Sequence, residues 1–207
     1  HGKSSLPSGK VSPNVFWQDV IGMLDHFDIE SAVICGLSMG GHVAVQTAIN
    51  AQVSVKGLIL IGTPYTNRFN TFERLVMPIN RFSQKLMPMK WIAWCIAAGL
   101  GNSSPEVKQY FRDVVGSMDH DVYNRVWKAV TSMESCDGLS CITCTTIILI
   151  GDSDWMTRRQ QKYMNAHIKG SHLVTITNAH HGTNFDNPKQ LEKEIDCFLT
   201  TIADSHT

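Results

Sequence analysis

The chain has 207 residues, 43% of them hydrophobic, with 18 basic residues balanced by 18 acidic ones. That length and apolar content suffice for one domain with a sizeable core and room for an insertion. Balanced charge with no run of one sign gives no electrostatic case for nucleic acid or an anionic membrane surface, and the most apolar stretch, Trp91 to Leu100, is too short to span a bilayer.

Taken from the N-terminus, Ser12-Pro13 predicts the cap and first turn of a helix with Phe16, Val20, Leu24 and Phe27 on one face. Ala32 to Cys35 reads as a short buried strand ending at Gly36. After it, Val43, Ala44, Ala48 and Ile49 give a helical apolar face. Further strands are predicted at about Gly57 to Ile61, Thr145 to Ile150 and His172 to Thr177. The second and third are near-continuous apolar runs, which suit parallel strands covered by helices on both faces. A helix between the last two strands carries a Thr157-x-x-Gln160 capping box. The final helix opens at Asn187-Pro188, with Leu191, Ile195, Phe198, Leu199 and Ile202 on one side. This alternation argues for an α/β fold with a mostly parallel sheet.

Residues 65–139 interrupt the alternation with helix-like pieces punctuated by Pro78, Pro88, Gly99, Gly101 and Pro105. The segment is too long for a simple crossover and reads as a helical insertion, leaving 1–64 and 140–207 as the core. Its methionines (77, 87, 89, 118, 133) and tryptophans (91, 94, 127) either pack the insertion's own interior or line an apolar pocket.

Six cysteines (35, 95, 136, 141, 144, 197) show no disulfide framework. Reduced, mostly buried thiols are expected, which favours a cytoplasmic setting. The single Cys141-x-x-Cys144 has no second pair of ligands and precedes a strand, so it reads as structural, and no metal is expected.

Gly36-Leu37-Ser38-Met39-Gly40 matches G-x-S-x-G after a strand and before a helix, the context that gives the motif meaning. A sharp turn there demands small residues at positions 36 and 40, and Gly41 allows the helix to approach the sheet. The Met39 N–H, heading the helix, points where an oxyanion would form. A serine nucleophile needs a base and an orienting acid. Asp152 and Asp154 follow the third strand, and His180 and His181 follow the fourth. All lie beyond the carboxyl ends of parallel strands, on one edge of the sheet.

Through "GLSMGG", "IILIGDSD", "NAHHGTNFDNP" and the closing amphipathic helix, the chain resembles the α/β-hydrolase superfamily in its capped esterase, lipase and lactonase branch. The resemblance implies Ser38 as nucleophile, Asp154 rather than Asp152 as acid, and His181 rather than His180 as base. It implies residues 65–139 to be a cap. The remaining histidines (26, 42, 120, 167, 172, 206) have no placed partners in the sequence and are expected to be surface or packing residues. The opening "HGKSS", from His1 to Ser5, resembles the end of the family's oxyanion loop. On that alignment a second oxyanion donor and about four strands would lie upstream of His1, leaving the nucleophile strand as an open edge.

The expected activity is hydrolysis of a small-molecule carboxylic ester or lactone through an acyl-enzyme, with an apolar acyl part and no cofactor. The same apparatus would also serve a C–C bond hydrolase or a cofactor-free haloperoxidase. A catalytically idle binding protein is the alternative of another class.

Overall fold

The computed structural model describes residues 4–6, 8–51, 54–101 and 103–204. Four parallel strands, β1 (Ala32–Leu37), β2 (Val55–Ile61), β3 (Thr145–Gly151) and β4 (His172–Ile176), lie side by side in chain order. Gly57 of β2 pairs with Thr145, and Ile147 of β3 with His172, so all the carboxyl ends open onto one edge. Each connection crosses over through helical segments, as parallel pairing requires.

Period-two alternation divides the core between two faces. Leu58, Leu60 and Ile148 pack against Ala44, Val45 and Ala48 of α2 (Met39–Asn50) and Met164 of α7 (Arg158–His167). Ile59, Ile61, Leu149 and Ile176 face Leu191, Phe198 and Ile202 of α9 (Pro188–Asp204). β1 is the edge strand among the described residues and is correspondingly less buried than β2.

Three sequence expectations need correction. The first helix, α1 (Val15–His26), begins after Asn14; Ser12 instead accepts a hydrogen bond from the Asn14 N–H, 3.3 Å away. The capping box at α7 does not form. The Thr157 hydroxyl donates to Asp154 Oδ2 (2.7 Å), and Gln160 Oε1 accepts from the N–H groups of Tyr65 (3.0 Å) and Thr66 (3.2 Å). Both side chains serve tertiary partners in place of the helix end. Of the cysteines, none is in a disulfide, but Cys35, Cys95, Cys136, Cys141 and Cys197 are exposed and only Cys144 is half-buried. Cys35 is uncovered because its strand has no neighbour beyond it among the described residues.

Among the described residues, four α-helices, α3 (Thr71–Leu86), α4 (Met89–Gly99), α5 (Pro105–Gly116) and α6 (His120–Val130), and a short 3-10 turn at Cys136–Cys141 run between β2 and β3. An antiparallel bridge between Thr66 and Glu134 closes the neck of this segment, and the Thr66 hydroxyl donates to Glu134 Oε2 (2.6 Å). α4 and α5 form a small core of their own around Ile92, Ala93 and Val115, partly covered by Met87 and Met89. Met133 is buried, whereas Trp91 and Trp94 face solvent.

Candidate active site

Ser38 sits at the junction of β1 and α2 with φ +52° and ψ −115°. A side chain rarely adopts this conformation, which costs on the order of 1–3 kcal/mol and persists only where the surroundings enforce it. Here the Ser38 N–H donates to the Ile61 carbonyl (2.8 Å), tying the turn to the end of β2. A Cβ on Gly36 would land on the Gly40 carbonyl, and one on Gly41 on the Thr63 side chain. Only glycine fits at either position. Gly40 is different: a Cβ there meets nothing within 4 Å, so crowding does not explain that glycine.

The two loops beyond β3 and β4 are laced together. Asp152 Oδ2 accepts from the Asn178 N–H (2.8 Å) and Oδ1 from the Ala179 N–H (3.2 Å), while the Ser153 N–H donates to the Ala179 carbonyl (2.9 Å). Asp152 is thus occupied with backbone and faces no reactive group. Its neighbour Asp154 is buried and lies 3.0 Å through Oδ2 from His181 Nδ1; His181 Nε2 lies 2.9 Å from Ser38 Oγ. Gly62, with φ +52°, leaves room for that pair, since a Cβ there would come within 3.2 Å of His181 Nδ1.

Burial alone would raise the Asp154 pKa, but hydrogen bonds from His181 and Thr157 outweigh it and hold the carboxyl below the usual range. The N–H groups of Met156 (3.0 Å) and Thr157 (3.2 Å) also reach Oδ1. Asp154 therefore stays ionised at neutral pH, a fixed negative charge behind the imidazole. The Met39 N–H heads α2, where the first N–H groups have no carbonyl of their own helix to bond. Of the oxyanion-like stretch His1 to Ser5, His1, Gly2 and Lys3 lie outside the described residues.

His180 points elsewhere. Its ring packs where a Cβ on Gly101 would sit, and its N–H donates to Asp186 Oδ2 (2.8 Å). Asp186 Oδ1 in turn accepts from the Ser103 hydroxyl (2.7 Å). The turn between α4 and α5 is thereby pinned to the loop that carries His181. Ser103→Ala would strip a hydrogen bond from a nearly buried carboxylate and is expected to lower the unfolding free energy by about 2 kcal/mol, read by chemical denaturation.

A recess of ≈250 Å³ opens at Ser38 and His181, walled by Met77, Trp127, Val130 and Met156. Sequence reasoning missed several of its supports. His42 takes the packing role of the two expected for it, buried at the base of the recess 2.9 Å through Nε2 from Ser135 Oγ; Gln160 braces the loop after β2. Among the other histidines, His120 and His167 bond the carbonyls of Gln84 and Tyr163, and His206 lies outside the described residues. The His42 position, four residues after Ser38 on the same helix face, was the available signal.

No group of three His, Cys, Asp or Glu residues able to hold a metal ion occurs among the described residues, and no described helix is long and apolar enough to cross a membrane.

Comparison with known proteins agrees with this architecture. The family described as serine aminopeptidase, S33, matches residues 1–188. The 3-oxoadipate enol-lactonase 2 of Acinetobacter baylyi is 24% identical over 207 aligned residues, covering 96% of this chain and 75% of its own. Among solved structures, the enol-lactonase from Burkholderia xenovorans LB400 superimposes with a TM-score of 0.86 at 23% identity, over 97% of this chain and 77% of that one. A thermophilic esterase from Thermogutta terrifontis gives 0.85 at 22% identity, over 97% and 76%. The chain thus spans about three-quarters of the length of these proteins.

Proposed function

The chain belongs to the serine aminopeptidase S33 family of α/β hydrolases, and on that premise we propose that Ser38, His181 and Asp154 form a catalytic triad that cleaves a carboxylic ester or lactone. The observation that carries this reading is the unbroken relay of 2.9 Å from Ser38 Oγ to His181 Nε2 and 3.0 Å from His181 Nδ1 to the buried Asp154.

Ser38 Oγ attacks the carbonyl carbon while His181 Nε2 takes its proton. The developing imidazolium is held by Asp154, and the oxyanion meets the Met39 N–H at the head of α2. The tetrahedral species then collapses, the C–O bond breaks, and His181 returns the proton to the leaving alcohol. Water, activated by the same imidazole, hydrolyses the acyl-enzyme and regenerates Ser38.

Residues 65–139 act as a cap in this reading, because Met77, Trp127 and Val130 from that segment wall the recess. Those side chains suit an apolar acyl part. The family description also names aminopeptidases, which must hold a free amine beside the scissile bond. Glu73 is the recess-lining residue that would supply a carboxylate, yet its oxygens already accept from the Phe69 N–H (2.8 Å) and the Asn70 amide (3.2 Å). That engagement favours the ester or lactone, as do the enol-lactonase relatives.

A fluorophosphonate probe is expected to label Ser38 of the full-length protein, and Ser38→Ala to abolish the adduct. Failure to label a protein shown to be folded would sink the triad reading. A panel of short-chain esters, lactones and diketones then separates ester or lactone hydrolysis from C–C bond cleavage.

A further inference from the structure

α3 is packed inside out. Phe72, Leu75, Ile79, Phe82 and Leu86 recur at three- and four-residue steps and so share one helix face. That face is turned to solvent: these side chains are exposed by 73%, 68%, 66%, 65% and 70%, and no residue of the helix is buried. The polar side does the holding. Asn80 Oδ1 accepts from Trp127 Nε1 (3.0 Å), and the Arg81 guanidinium donates to the Thr131 hydroxyl (2.7 Å) and carbonyl (2.5 Å). On the next helix, Trp91 and Trp94 are exposed by 68% and 58%. Each such large apolar side chain partitions out of water by about tenfold or more, so the face has a strong thermodynamic reason to be covered.

Charge says by what. The chain as a whole is balanced, but residues 68–101 hold Arg68, Arg74, Arg81, Lys85 and Lys90 against Glu73 alone. Arg81, Lys85 and Lys128 line a groove of ≈260 Å³ between α3 and α6, and Phe82, from the apolar face, lines the same groove. None of the three cations pairs with a carboxylate among the described residues. An apolar strip edged by uncompensated positive charge, with tryptophans close by in sequence, is the pattern of a helix lying in a lipid–water interface. Isologous pairing with a second copy would instead set the same basic flank against itself.

We propose that the outer face of α3 docks on a membrane surface bearing anionic phospholipid. Its apolar side chains enter the acyl boundary, and Lys85 and Lys128, which flank the groove beside Phe82, take headgroup phosphates. The helix lies in the plane and does not span; at 16 residues it is about 24 Å long. The balanced total charge hid this site, because the asymmetry is local. The proposal stands on the exposed face and its flank, independently of the chemistry assigned to Ser38.

The test floats the full chain with vesicles of phosphatidylcholine alone and of phosphatidylcholine with phosphatidylserine, following tryptophan emission. Binding with a blue shift is expected, stronger on the anionic vesicles by about fivefold for each engaged cation. Ile79→Glu with Phe82→Glu is expected to weaken partitioning about 100-fold or more with an unchanged far-ultraviolet circular dichroism spectrum. Lys85→Glu with Lys128→Glu should remove the preference for phosphatidylserine. A chain that stays off both kinds of vesicle overturns the proposal, as does undiminished binding by the Ile79→Glu, Phe82→Glu variant. A dimer in sedimentation that this variant dissolves would overturn it in favour of self-association.

Discussion

Replacing Asp154 with asparagine is expected to lower kcat on an activated ester about 10⁴-fold while the protein stays folded. The side chain would keep its shape and one acceptor oxygen for the N–H groups of Met156 and Thr157, which now bond Oδ1. Its amide nitrogen would then occupy the Oδ2 position, facing both His181 Nδ1 and the Thr157 hydroxyl. A donor there favours the tautomer with the proton on Nε2, which cannot accept from Ser38 Oγ. It also removes the charge that stabilises the imidazolium. Single-turnover kinetics with an activated ester, beside circular dichroism, make the measurement. An Asp154→Asn protein within tenfold of the parent would show that Asp154 is a structural acid. Asp152→Asn provides the contrast: the Asp152 carboxylate bonds the Ser153 hydroxyl and the Asn178 and Ala179 N–H groups, so its loss should affect loop stability far more than the chemical step.

The site was legible in the sequence to the extent that local geometry dictates residue type. A serine at positive φ between a strand and a helix needs glycine where neighbouring atoms pass close, and Gly36, against the Gly40 backbone, and Gly41, against the Thr63 side chain, leave that mark. The order of strands placed Asp154 and His181 on the same edge because parallel strands all end there. What could not be read was the tertiary use of ordinary polar residues. Thr157 and Gln160 spell a capping box, yet one is taken by Asp154 and the other by the backbone of Tyr65 and Thr66. Local pattern proposes a partner; a buried carboxylate or a pair of orphaned N–H groups overrides it, because leaving those unsatisfied costs more than a frayed helix end.

The same limit applies to the fold. Buried strands announce themselves by apolar runs, but a helical apolar stripe says only that one face differs from the other. On α2 and α9 that stripe faces the sheet. On α3 it faces solvent, since Asn80 and Arg81 have partners on α6 and in the turn after it. The direction of an amphipathic helix is set by what its polar face can bond, and those partners are 47 and 50 residues away in the chain.

Acid should destabilise this protein through His42 before it titrates the carboxylates. Burial lowers the His42 pKa from 6.5 to about 4, and the contacts its ring nitrogen makes are with neutral Ser135, itself bonded by Gln46. Because the folded value lies below the unfolded one, the unfolded chain binds the extra proton first as pH falls. Stability is therefore intact above about pH 6.5, drains away between there and about pH 4, and the total loss is about 3 kcal/mol. His42 joins the helix that begins at Met39 to Ser135, near the end of the helical segment between β2 and β3, so the same protonation would loosen the floor beneath Ser38. Urea unfolding across this range is the measurement, with His42→Asn expected to flatten the slope between pH 6.5 and 4 whatever its stability at neutrality. Equal slopes in parent and variant would mean that other groups carry the acid sensitivity. Asp154 acts in a lower window, since its depressed pKa keeps its contribution until pH falls below the usual carboxylate range. Two separate transitions in stability against pH, the upper one removed by His42→Asn, would distinguish the packing histidine from the buried acid bonded to His181.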